Sequence, residues 1–243
     1  MSDSLFRLDN QTAVVTGACG KLGPIWAAAL LDAGASVAAL ELGGAPVSGA
    51  YQTLADRSDH RLRRFDCDVT DRRSIEEAAR RVDVEMGPPS VLVNNAGVDQ
   101  PPDSGGNRSR ISDLPIGDFR RMVEVNLLGT FQVTQVIGEA MAARGEGSVI
   151  NIGSLYAGVS PDQRLYEHLP GDLPFLKSPA YGASKAAVVN LTKYFATLWG
   201  RSGVRVNTLS PGGVLAGQDQ QFRSYYSERV PLGRMARVED LRG

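Results

Sequence analysis

The sequence predicts an α/β protein built as one domain over residues 1–243 on a doubly wound parallel sheet. Three observations carry that prediction. Short apolar runs alternate with segments of helical spacing along the whole chain, which is the rhythm of parallel strands joined by crossover helices. Glycine is in excess at 27 of 243 residues, about 11% against a background near 7%. Many of these glycines stand where an apolar run meets a helix. The chain is also longer than a usual single-core domain yet too short for two, which suits one large α/β or all-β domain, and the alternation selects the first.

The elements follow in order. Thr12–Thr16 is a buried apolar strand leading into the glycine-rich turn Gly17-Ala18-Cys19-Gly20-Lys21-Leu22-Gly23. A helix is expected from Pro24 to Ala33, with proline at its first position and Gly34 closing it. Ser36–Leu40 is a second strand, ending at Glu41, and Leu62–Phe65 a third, before Asp66-Cys67-Asp68-Val69. Residues 71–84 have helical spacing and an acidic start, and Val91–Val93 is a strand that stops at Asn94-Asn95-Ala96-Gly97. A long helix is expected over 119–143, with a break near Asn126, then a strand at 148–152. A helix over 183–199 and a strand at 204–207 complete the alternation. Two stretches depart from it. Residues 99–107, rich in proline, glycine and polar side chains, predict a surface loop. Residues 160–178 predict a loop that is either an elaboration at the mouth of a site or a surface decoration. Residues 218–230 predict a helix covering a substrate, though Phe222, Tyr225 and Tyr226 there also suit ordinary packing. No internal repeat or interdomain linker stands out.

Composition narrows the function. With 26 basic and 27 acidic residues the net charge is −1, which argues against affinity gained by neutralising nucleic-acid phosphates. No apolar run approaches the roughly 20 residues that span a bilayer, and Met1-Ser2-Asp3-Ser4 does not open a signal peptide. The two cysteines, Cys19 and Cys67, suit a reducing cytoplasm, and only two histidines, His60 and His168, disfavour a histidine-rich metal centre.

Ligands of open parallel sheets bind beyond the carboxyl ends of the strands, where the glycine-rich and polar termini fall. Gly17, Gly20 and Gly23 in a strand-to-helix turn let backbone N–H groups approach a pyrophosphate without Cβ interference. Glu41 ends the second strand, where a carboxylate accepts from both hydroxyls of an adenosine ribose and repels a 2′-phosphate. NAD is therefore favoured over NADP, with Lys21 as the competing attraction for that phosphate. Asp68-Val69 either caps the adenine or, through Asp68, serves a turn. At the other end, Tyr181-Gly182-Ala183-Ser184-Lys185 puts a phenol and an ammonium on one helical face. A phenol with a pKa near 10 exchanges protons poorly at neutral pH. A neighbouring ammonium and a positive nicotinamide ring would favour phenolate and fit Tyr181 for acid–base work on an alcohol or carbonyl.

Thr16-Gly17, Asn94-Asn95-Ala96-Gly97, Asn126, Ser154, Tyr181-Gly182-Ala183-Ser184-Lys185 and Ser210-Pro211-Gly212-Gly213 stand in an order that resembles the short-chain dehydrogenases/reductases over nearly the whole chain. The resemblance implies a Rossmann fold and NAD(P)-linked hydride transfer between a secondary alcohol and a ketone. It implies that Tyr181 is the acid–base and that Lys185 holds the nicotinamide ribose and lowers the Tyr181 pKa. It further implies that Ser154 bonds the substrate oxygen and that Asn126 positions a relay water. Asn94, Ala96 and Gly97 would shape the coenzyme cleft with Gly20, Lys21 and Leu22, while Pro211, Gly212 and Val214 border the nicotinamide. The Thr-Gly-x-x-Gly-x-x-Gly spacing resembles instead the branch that epimerises or dehydrates nucleotide sugars, which is kept as a competing reading. Ser154 precedes Tyr181 by 27 residues, an unusually long interval. The excess is residues 160–178, whose Tyr166, Glu167 and Lys177 would suit a sugar, sugar acid or polyol; His168 there is expected to be a solvated loop histidine. Members of the family normally continue into a further helix and strand that build much of a tetramer or dimer interface. The end at Gly243 therefore leaves a non-catalytic NAD-binding remnant as a third reading, and homo-oligomerisation as an expectation tied to that region.

Overall fold

The computed structural model describes residues 6–100 and 110–242; Met1–Leu5, most of the predicted loop at 99–107 and Gly243 lie outside the described residues. Six parallel strands form one sheet in the order β3-β2-β1-β4-β5-β6. They are β1 (Thr12–Thr16), β2 (Ser36–Glu41), β3 (Leu62–Asp66), β4 (Pro89–Asn94), β5 (Gly147–Ile152) and β6 (Val204–Leu209). Each predicted strand is present, longer by up to two residues at an end; β1, β2 and β4 are buried nearly throughout, as central strands of a parallel sheet are, while the edge strands bury only Phe65 in β3 and Val204 and Val206 in β6. The order reverses between β1 and β4, so the crevice beyond their carboxyl ends is the switch point at which such sheets bind ligands.

Helices cover both faces. On one, α1 (Gly23–Asp32) packs Ile25, Trp26, Ala27, Ala28 and Leu31 against Ala13, Val15, Val37 and Ala39. The short α2 (Gly49–Asp56), capped by Ser48, adds Tyr51 and Leu54 to that layer. Sequence pattern misses α2 because only those two side chains anchor it. On the other face, α3 (Arg72–Met86) buries Ile75, Ala78 and Val82 against Leu40 and Phe65.

The long helix expected over 119–143 runs from 116 to 144 in five pieces. These are α4 (Ile116–Val123), a π-helical turn Glu124–Gly129, α5 (Thr130–Val133), a second π turn Thr134–Gly138, and α6 (Glu139–Arg144). The expected break near Asn126 is thus a widened turn, not an interruption; π turns inside helices cluster at functional sites. The next helix, α7 (Pro179–Trp199), begins four residues earlier than predicted, because Ser178 accepts from the Ala180 N–H and Pro179 fits the first helical position. Residues 160–178 are no loose loop. Leu165, Tyr166 and Phe175 form a third apolar cluster with Met235 and with Phe222 and Tyr226 of α8 (Gln220–Glu228). No described helix is long and apolar enough to cross a membrane.

Candidate active site

At the switch point the chain is fixed by its own backbone. Gly17 sits at φ +60°, and a Cβ there would lie 2.8 Å from the Ala96 Cα. A Cβ on Gly23 would collide with the Gly17 carbonyl, whereas one on Gly20 would meet that oxygen at 3.4 Å. Thr16 Oγ1 accepts from the N–H groups of Asn95 and Ala96, each at 3.0 Å. Asn95 Nδ2 donates to the carbonyls of Thr16 and Gly17 at 3.0 and 2.9 Å, and its Oδ1 accepts from Trp26 Nε1 at 2.8 Å. Asn95 thus rivets β1, its turn, α1 and β4 together, a role that no spacing pattern in the sequence announces.

The N-terminus of α1 fits an anionic group. Leu22 provides no side-chain cap, and Gly20 and Lys21 are exposed beside it, so the positive end of the helix dipole lies next to an exposed ammonium, although Pro24 brings no N–H and the Ile25 N–H is already spent on the Leu22 carbonyl at 3.0 Å. Glu41 closes the same turn: its Oε2 accepts from the Cys19 N–H at 2.8 Å and its Oε1 from Leu42 N–H at 3.1 Å. Burial and the Glu41 carboxylate push the neighbouring Cys19 thiol up to about 11. Asp68 Oδ1 is committed to a turn, accepting from the Thr70 N–H and hydroxyl at 2.9 and 2.7 Å. Val69 packs where Gly129 has no side chain.

Asn94 does not face the cleft; it is buried. Its Nδ2 donates to Thr134 Oγ1 at 2.7 Å and to Asn151 Oδ1 at 2.8 Å, and Asn151 Nδ2 donates to Thr192 Oγ1 at 2.9 Å. These polar groups tie β4, β5 and α7 together beneath the site. Gly97 is exposed above them, and a Cβ there would meet Asn126 Oδ1 at 3.3 Å and Lys185 Nζ at 3.6 Å.

Asn126, fully buried in the first π turn, accepts from the Val98 N–H at 2.7 Å and donates to its carbonyl at 2.9 Å. Nδ2 also donates to Ser184 Oγ at 3.2 Å, which donates to the Tyr181 carbonyl at 2.8 Å. One asparagine therefore joins the end of β4 to the start of α7. Ser154 stands close enough to the Tyr181 phenol to lower its pKa, its Oγ accepts from the Tyr156 N–H at 3.2 Å, and Tyr156 meets the Tyr181 ring edge-on at 6.4 Å. Leu155 N–H donates to the Pro211 carbonyl at 3.0 Å, which seats Pro211 and Gly212 beside Ser154. Val214 bridges to Ala236, and the Gly213 N–H donates to the Tyr226 hydroxyl of α8 at 2.5 Å.

Lys185 is buried, donates to the Ile152 carbonyl at 2.7 Å and stands 5.9 Å from the Tyr181 ring centroid. Burial pulls its pKa down to about 8, opposed by Asp99. The phenol behaves contrary to the sequence expectation. Burial, with Asp99 adding to it, pushes Tyr181 up to about 12, against the lowering effect of Ser154. The ammonium expected to lower it is spent on a backbone carbonyl instead. His168 is also corrected: it is largely buried, with Nε2 3.0 Å from Asp219 Oδ1 at the cap of α8.

Lys177, from the 160–178 stretch, is brought to the site as well. Its ammonium lies 5.5 Å from the Tyr181 ring centroid and 2.5 Å from Asp99 Oδ2. The sequence named Lys177 only as one of several polar groups and gave Asp99 no role.

A family model described as enoyl-(acyl carrier protein) reductase matches residues 17–243. The chain is 35% identical over 242 residues to D-threitol dehydrogenase of Mycolicibacterium smegmatis, covering 97% of this chain and 84% of the relative. A crystal structure of gluconate 5-dehydrogenase from Burkholderia cenocepacia in complex with NADP and tartrate is 27% identical with a TM-score of 0.83, covering 100% of this chain and 89% of that one. A short chain dehydrogenase from Leptospira borgpetersenii with bound NAD+ is 28% identical with a TM-score of 0.83, over 100% of this chain and 86% of that one.

Proposed function

Because the chain belongs to the short-chain dehydrogenase/reductase family and is an NAD(P)-linked oxidoreductase of secondary alcohols and ketones, we propose that it prefers NAD, acts on a polyol or sugar, and uses Tyr181 as its acid–base. The observation that carries this reading is the junction of Ser154, Tyr181 and Lys185 beyond β5, joined through Asn126 to the end of β4.

A bound nicotinamide supplies the hydride acceptor and, when oxidised, a positive charge beside the phenol. The protein's part is to place and deprotonate the alcohol. Ser154 and the Tyr181 phenol stand beside each other, so a substrate hydroxyl that joins both lies where its proton passes to Tyr181 as the carbinol carbon gives up hydride. The product is the ketone. Lys185 titrates near pH 8, which lets it exchange protons at physiological pH, and its bond to the Ile152 carbonyl keeps it under the phenol ring. Since Tyr181 alone lies at about 12, its phenolate fraction and with it alcohol oxidation rise with pH, while the phenol that ketone reduction needs stays protonated up to about pH 11.

Glu41 supports NAD: its carboxylate ends β2 and holds the Cys19 N–H where the adenosine ribose would lie. The glycine turn, Lys21 and the open end of α1 would receive the pyrophosphate. The residues 160–178 and α8, packed on each other, would form the wall over the substrate. Relatives named as dehydrogenases, together with the Tyr181–Lys185 junction, disfavour both nucleotide-sugar epimerisation and a non-catalytic remnant.

Tyr181→Phe removes only the phenol oxygen. It should lower kcat by about 10²–10⁴-fold while leaving NADH affinity, read by fluorescence titration, nearly unchanged. Retained turnover removes Tyr181 from the reaction.

A further inference from the structure

The strongest unassigned feature is the ion pair that the 160–178 stretch builds beside Tyr181. We propose that Asp99, held by Lys177, accepts hydrogen bonds from substrate hydroxyls and sets the site for uncharged polyols and ketoses over sugar acids. This rests on the dehydrogenase reading and names its substrate class.

The pair is asymmetric. The Lys177 side chain is 5% exposed and the Asp99 side chain 38%. Lys177 Nζ donates on two sides, to Asp99 Oδ2 at 2.5 Å and the Gln100 carbonyl at 3.1 Å, and the backbone N–H of Lys177 donates to Gln163 Oε1 at 3.1 Å. The cation is therefore built into the wall, and the group turned outward is the carboxylate. Lys185, the other ammonium here, is equally buried and committed to Ile152. An arriving substrate meets the free lone pairs of a carboxylate whose charge Lys177 only partly offsets.

Position ties that charge to the reaction. Asp99 follows Val98, whose N–H and carbonyl are both clamped by Asn126. The carboxylate's field acts on Tyr181, Lys185 and Tyr156 alike. A carboxylate offers about four acceptor sites and Lys177 engages one, which leaves capacity for the donors of a polyol. Hydroxyl hydrogens bound by a carboxylate make charge-assisted hydrogen bonds, whereas a substrate carboxylate would face like charge in a partly buried site.

The test compares kcat/KM with NAD for galactitol and for D-gluconate, a hexitol and a hexonate of equal chain length, on the full chain. The native protein should favour the hexitol by about 100-fold or more. Asp99→Asn keeps an acceptor and removes the charge, so it should lower hexitol efficiency and narrow the ratio at least tenfold. Lys177→Met leaves the carboxylate unneutralised and should widen it. Each ratio is taken within one variant, so loss of folded protein cancels, and a merely structural pair would not move the two variants in opposite directions. Comparable use of gluconate by the native protein, or a ratio that Asp99→Asn leaves unchanged, overturns the proposal while leaving the dehydrogenase reading intact. Failure of every secondary alcohol to produce reduced nicotinamide overturns both.

Discussion

At the β1–β4 end of the cleft the chain is held by backbone, whereas at the Tyr181 end it is held by side chains from distant segments. Around Gly17 the contacts run from Thr16, Asn95 and Trp26 onto main-chain atoms or each other, and a Cβ added at Gly23 would press on backbone. Around Tyr181 the joints are Lys177 to Asp99, Asn126 to Val98 and Ser184, and the aromatic cluster of Tyr166, Phe175, Phe222 and Tyr226. At the first end Gly17 and Gly23 leave no room for an added atom. The second can be re-specified by exchanging side chains, as a substrate site requires.

Substitutions at the two ends should therefore differ in kind. Gly23→Ala drives a methyl into the Gly17 carbonyl and to 2.5 Å from the Ala18 Cα, and backbone cannot move aside cheaply. It should cost about 3 kcal/mol or more of stability, read by thermal unfolding, with NADH binding lost. Gly20→Ala, with 3.4 Å of room, should unfold within about 0.5 kcal/mol of the native protein. Equal effects would break the comparison.

Lys185→Met should act in the opposite sense. The amine titrates near 10.5 when unfolded and near 8 when folded, so the fold is disadvantaged below pH 8 by up to about 3 kcal/mol, and recovers between about pH 8 and 10.5. Methionine removes that penalty and leaves the Ile152 carbonyl without its donor, which costs about 1 kcal/mol. Unliganded Lys185→Met should be about 1–2 kcal/mol more stable than native protein at pH 7, with the gain vanishing toward pH 10, and inactive. Urea unfolding at both pH values checks this. A variant less stable at pH 7 would show that the ammonium supports the fold instead of straining it.

The same contrast explains what could be read beforehand. β1, β2 and β4 were legible because each buries a nearly continuous apolar run, whereas the edge strands β3 and β6 bury only Phe65 and Val204 with Val206 and were legible from their place in the strand–helix alternation. The Tyr181–Lys185 pair was legible because an i,i+4 offset fixes a shared helical face. Lys177 and Asp99 are 78 residues apart in segments without period, so nothing local joins them. The π turn at Asn126 differs from an α turn by one residue per turn, which apolar spacing reports only as a break. Burial of the Tyr181 phenol likewise depends on Tyr156 and on residues 160–178 folding back, and its pKa therefore moved the other way from the expectation drawn from Lys185 alone.

Glu41 stands at the border of the two kinds of construction, since one carboxylate both clamps the turn and would read the coenzyme. Glu41→Gln separates these roles. The amide oxygen still accepts from the Cys19 N–H, so the turn keeps that bond and gives up only the exposed one from the Leu42 N–H, while the charge facing a 2′-phosphate is gone. The NADP-to-NAD ratio of kcat/KM should rise about tenfold, equivalent to about 1.4 kcal/mol, with little change in unfolding temperature. A drop in stability without a change in that ratio would make Glu41 a backbone clamp alone, and would pass coenzyme discrimination to the exposed Lys21 beside α1.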